Sequence, residues 1–227
     1  MRLAAICMMI WTSVSAGVVA AQERTITVVG EGIAAEMPDQ AVITVGVSHR
    51  SASAQMAMEN VGDVVGNMIE ALTKDGIEAR DIQTSNLGLH PVYNRNRDGD
   101  ERPLLLGFNA SNSLTIKLRD IKGVGEVLGT LVENGANDIG GISFGLRDPQ
   151  LAMSLARKEA IGDARAKAEL YAEAAGVKLG QVVTISEVRQ GSPRPEMMRA
   201  AMADAVPIAP GEVSLTARVT MVFEIEG

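Results

Sequence analysis

Residues 28–51, VVGEGIAAEMPDQAVITVGVSHRS, decide how this chain is read. Gly30-Glu31-Gly32 could open a phosphate-cradling loop or lie inside a strand. A phosphate loop opens a helix at once, because the helix N-terminus supplies the anion site. Here the strand continues to Met37, and Pro38-Asp39 interrupts it. Ile43, Val45 and Val47 then alternate with Thr44, Gly46 and Ser48. A helix cap comes only at Ser51 or Ser53. The stretch therefore reads as two strands, 25–37 and 41–49, paired across Pro38-Asp39. Its glycines mark a bend or bulge in the first strand.

Working outward, Ala54, Met58, Val61, Val65, Met68 and Leu72 recur at spacings of three and four, which predicts a helix that Gly76-Ile77 stops. Strands follow at 82–93 and 104–118, separated by the charge-balanced loop NRNRDGDERP. Asp120 caps a second helix with Ile121, Val124, Leu128, Leu131 and Val132 as its apolar stripe, ended by Asn134-Gly135. A fifth strand spans 139–146. Asp148-Pro149 opens an alanine-rich third helix that runs to Gly176, with Asp163–Lys167 and Arg165–Glu169 as i,i+4 pairs on an exposed face. Such a long helix invites a neighbour along its length, part of it on a partner subunit.

A sixth strand spans 181–188. The seventh, 212–225, alternates Val213, Leu215, Ala217, Val219, Met221, Phe223 and Ile225 with mostly polar neighbours. Between these two strands, residues 189–211 form a mobile insertion rich in Pro and Met. The expected fold is α+β: about seven strands in a largely antiparallel or mixed sheet, with three main helices packed on one face.

Residues 1–21 stand apart: Arg2, an apolar run from Leu3 to Trp11, and small residues up to Ala21 read as a cleaved secretory signal peptide. The apolar run is too short for a spanning helix, which needs about 20 residues. Residues 22–227 are then one exported domain. Cys7 leaves with the signal, so the mature chain has no thiol chemistry. Without Arg2, 20 basic residues face 28 acidic ones, a net charge of −8, since the whole chain carries 21 and 28. Nucleic acid and anionic lipid are excluded as partners on that balance. The low aromatic content, 3%, excludes a lipid-facing barrel with aromatic girdles.

No motif supplies chemistry. Gly141-Ile142-Ser143-Phe144-Gly145 matches the G-x-S-x-G nucleophile elbow, yet Ser143 sits in a continuing strand and both histidines, His49 and His90, lie upstream of it. A serine esterase using Ser143 is the weakest reading. Two histidines do not make a zinc site. Asp98 to Asp100 lacks the other ligands of a calcium loop. GVGEVLG at 123–129 lies within a helix, its third glycine one residue late for a dinucleotide fingerprint, so its glycines serve close packing. Met197, Met198 and Met202 are an amphipathic turn rather than a copper site. No catalytic, cofactor-binding or metal residue is assigned, and no cofactor.

Five segments, TITVVGEGIAAEMPDQAVITVGV, DIQTSNLGLHPVY, GFNASNSLTIKLRD, LVENGANDIGGISFGLRDP and ARAKAELYAEAAGVKLGQVVTISE, resemble the SIMPL-domain family of periplasmic immunogenic and oxidative-stress defence proteins in Gram-negative bacteria. The resemblance covers nearly all of residues 25–225. It implies an α+β domain in the periplasm and, in some members, a homo-oligomeric, channel-like assembly. It carries no agreed catalytic residue. The resulting expectation is a non-enzymatic periplasmic protein that partners itself and is linked to envelope or oxidative-stress defence. A periplasmic module that binds a small molecule or protein is the alternative.

Overall fold

The computed structural model describes residues 24–94, 103–187 and 208–226. Residues 1–21, expected from the sequence to be a signal peptide, the NRNRDGDERP loop from Arg95 to Arg102, and most of the Pro/Met-rich insertion lie outside them.

Seven strands and three principal helices follow in the order β1 (Thr25–Glu36), β2 (Gln40–Ser51), α1 (Ala54–Lys74), β3 (Ile82–Tyr93), β4 (Leu105–Leu118), α2 (Val124–Glu133), β5 (Asp138–Gly145), α3 (Gln150–Ala175), β6 (Lys178–Glu187) and β7 (Val213–Glu226). The fold is α+β and every strand pairing is antiparallel. The strands do not share one sheet. They form a three-stranded sheet, β1-β7-β6, and a four-stranded sheet, β3-β4-β2-β5. The hairpin expected across Pro38-Asp39 is accordingly absent, because β1 pairs with β7 while β2 lies between β4 and β5. Asp39 redirects the chain: its N–H donates to Gly145 O at 3.1 Å, and its carboxylate takes Arg147 N at 2.7 Å and Arg147 Nε at 3.1 Å.

Each sheet has its own core. On the four-stranded sheet, Ala41, Ile43, Val45 and Val47 of β2 and Leu114, Ile116 and Leu118 of β4 meet Ala57, Val61, Val65, Met68 and Leu72 of α1 and Val124, Val127 and Leu131 of α2. The expected stripe of α1 is buried at Val61, Val65, Met68 and Leu72, while its first turn buries Ala57 and leaves Ala54 and Met58 half-buried, and Val132 of α2 is exposed. Ser53 caps α1 by accepting from Met56 N at 3.1 Å. Gly76, at φ +85°, takes the left-handed stop, and Ile77 N reaches back to Leu72 O at 3.0 Å.

The second core is built differently. Val219, Met221 and Phe223 of β7 and Val28 of β1 pack on Ala156, Ala160, Ala164 and Ala168 of α3. With Ala152 and Ala172 these alanines recur every fourth residue, and all six are buried. A row of alanines lets the helix axis lie unusually close to the sheet. Gly30 and Gly32 complete the fit: a Cβ on Gly30 would collide with Ala160 O and lie 2.7 Å from Ala164 Cβ, and one on Gly32 would collide with Ala156 O. The β1–β7 register is unbroken from Thr25 to Glu36, so these glycines mark no bulge. They clear space for a helix backbone. Asp148 accepts from Gln150 N at 3.0 Å just ahead of α3, whose N-cap position is Pro149, one residue later than the Asp-Pro pair predicts, and Gly176 closes the helix in the left-handed region. The neighbour along the length of α3 is the chain's own sheet.

Candidate functional site

The residues singled out in the sequence do not converge. Ser143 lies in β5, paired with Val42 of β2, in a regular antiparallel ladder and not on a strand-to-helix turn. His49 is seven residues beyond Val42 along β2, about 23 Å at ~3.3 Å per residue. No base reaches the Ser143 hydroxyl from there. His49 and His90 are exposed, opposite Ala110 and Asn109 of β4. Gly125 and Gly129 lie in α2, and a Cβ on either, or on Gly123, would meet nothing within 4 Å. The expectation that these three glycines permit close packing is therefore corrected. Asp98 to Asp100 and Met197, Met198 and Met202 lie outside the described residues. Among the described residues no three His, Asp or Glu side chains come together as metal ligands.

An open cleft of about 480 Å³ lies between the end of α1, the end of β4 and the start of α2. None of its residues was assigned a site role in the sequence: Gly76, Ile77 and Asp120 were read there as helix-end signals, and Gly123, Glu126 and Val127 as part of GVGEVLG. Five carboxylates line it, Asp75, Glu78, Asp81, Asp120 and Glu126, against two cations, Lys117 and Arg119. The local folding signals place them: Asp75 is the C-cap of α1, and Asp120 caps the short turn before α2 by accepting from Lys122 N at 3.0 Å. Arg119 binds Asp81 through both carboxylate oxygens, Nε to Oδ2 at 3.0 Å and Nη2 to Oδ1 at 3.2 Å. Asp81, by its hydrogen bonds and charge, raises the Arg119 pKa. Thr130 Oγ1 donates to Asp75 Oδ2 at 3.0 Å and ties α2 to α1. Arg80 engages Glu78 at 2.8 Å. The cleft is an acid-rich recess in which Asp81 is paired with Arg119, while Glu78 turns to Arg80 and Asp75 to the Thr130 hydroxyl.

The model of the SIMPL family, described as proteins of unknown function (DUF541), matches residues 26–223. The chain belongs to the SIMPL family. It is 36% identical over 215 residues to the 26 kDa periplasmic immunogenic protein of Brucella melitensis, covering 90% of this chain and 86% of that one. The Brucella abortus protein of the same name matches equally. YggE of Escherichia coli K12, an uncharacterized protein, is 28% identical over 197 residues, covering 84% of this chain and 78% of its own. The three helices and the alanine row of α3 lie within the matched SIMPL segment, as do the strands apart from Thr25 of β1 and the last three residues of β7. No helix among the described residues is long and apolar enough to cross a membrane.

Proposed function

We propose that this SIMPL protein is an exported, non-catalytic envelope protein whose work depends on association with copies of itself. The observation that carries the reading is the state of the sheet edges. Strand β3 is an edge strand of 12 residues with no Asp, Glu, Lys or Arg, and it exposes Leu87, Leu89 and Tyr93. Edge β6 has no charge from Leu179 to Ser186 and exposes Val182, Val183 and Ile185. Edge strands that stay monomeric carry charges or prolines against pairing, and these carry one proline, Pro91, between them. The name of the Brucella relatives, periplasmic immunogenic protein, supports the same compartment as the signal-like residues 1–21. A link to envelope or oxidative-stress defence is part of the proposal. Light scattering on the purified mature protein tests it: a defined multimer is expected, and a clean monomer at micromolar concentration overturns it.

A second reading, a periplasmic binding module, is favoured by the acid-rich cleft, which suits a small solute bearing positive charge. Native mass spectrometry of protein purified under mild conditions separates the two. A stoichiometric bound species supports the binding module.

A further inference from the structure

Of the edges of the two sheets, β1 differs from the others in what lies against it. Three of its backbone groups that face away from β7 are taken by side chains of α3. Glu31 N–H donates to Asp163 Oδ2 at 2.8 Å, Ile33 N–H to Glu159 Oε2 at 2.9 Å, and Lys167 Nζ donates to Val29 O at 3.1 Å. Lys167 also holds Asp163 at 2.7 Å, so the row is cross-linked. The spacing explains why a helix can do this. Alternate residues of a strand are ~6.6 Å apart, and every fourth residue of a helix ~6.0 Å, so 33, 31 and 29 meet 159, 163 and 167 in step with the two elements antiparallel. The alanine row, one helix face away, brings the axis near enough for these short carboxylate side chains to reach.

We propose that the Glu159–Asp163–Lys167 row is an autoinhibitory seal: it fills, with side-chain atoms, three central hydrogen-bonding positions that an added strand would take on β1, and its removal makes β1 a pairing edge for a second copy of this chain. The seal is independent of whether the native protein associates through its other edges. Carboxylates accept and do not donate, and the ammonium donates and does not accept, so each position matches the polarity of the backbone group it covers. Outside the seal, Glu31 turns its own side chain to Arg218 of β7 at 2.8 Å, away from the row on α3.

The test combines hydrogen exchange with sizing. In the native full chain, the Glu31 and Ile33 amides should be protected about 100-fold or more over free chain, unlike ordinary outward-facing edge amides. Exchange at the free-chain rate overturns the seal without any substitution. In Glu159→Ala/Asp163→Ala, where alanine keeps helix propensity, those two amides should exchange at least ~10-fold faster than in the native chain while Gly30 and Gly32 do not change. Light scattering should then show species larger than the native protein forms at equal concentration. Unchanged exchange at Glu31 and Ile33, or faster exchange with unchanged size, overturns the proposal.

Discussion

The carbonyl oxygen of Ala160 occupies the place where a side chain on Gly30 would begin. Strand β1 and helix α3 are in backbone contact there, and the same holds at Gly32 against Ala156. This contact fixes the three-stranded sheet's core, because Val28, Met221 and Phe223 reach the helix only if its axis stays close.

Gly30→Ala should therefore cost about 3 kcal/mol or more, the upper range for overpacking, since the obstructing atom is backbone and cannot rotate away. Urea midpoints on the purified variant measure it. A loss below ~1 kcal/mol would mean that α3 lifts off the sheet at little cost.

Gly76→Ala is the contrasting case. Gly76 has φ +85° and a Cβ there meets nothing within 4 Å, so only backbone conformation is charged against the substitution. The expected loss is about 1 kcal/mol, the cost of a left-handed alanine. Measured beside Gly30→Ala, the pair separates steric from conformational glycines.

The elements were legible from local pattern where one residue type has one meaning. The alternation from Val213 to Phe223 sets β7, and the Asp148-Pro149 and Gly76-Ile77 pairs set helix ends, with observed bounds within about three residues of the expected ones. Gly30 and Gly32 were not, because glycine in a strand signals either a bulge or a close approach, and only the partner decides. The alanines of α3 read as helix propensity, yet their period of four is also a packing row. Division into two sheets rests on pairing between distant segments, which no local period encodes: β1 finds β7 some 190 residues away. The cleft draws on residues 75–81, 117–120 and 123–130 and makes no motif in the sequence.

Ser143→Ala should leave any hydrolysis of p-nitrophenyl acetate by the purified protein unchanged. The serine pairs with Val42 in a straight ladder, and neither histidine lies within reach of its hydroxyl. A loss of turnover in this variant would restore the elbow reading.

Acid should weaken the attachment of α3 and the Asp39 turn together. Lys167 and the Glu31 N–H hold the Asp163 carboxyl below its ordinary value, and Arg147, by its backbone N–H first, does the same for Asp39. In both cases the folded pKa lies below the unfolded one, so the contribution is fully present above about pH 4 and is lost as pH falls through the folded values. Urea midpoints taken from pH 6 down to pH 2.5 should decline on the acid side. Asp163→Asn should start lower at pH 6 and decline less steeply, because the asparagine has no proton to take up and no charge for Lys167 to hold. A parallel decline in both proteins would remove Asp163 from the acid response and leave the slope to other carboxylates.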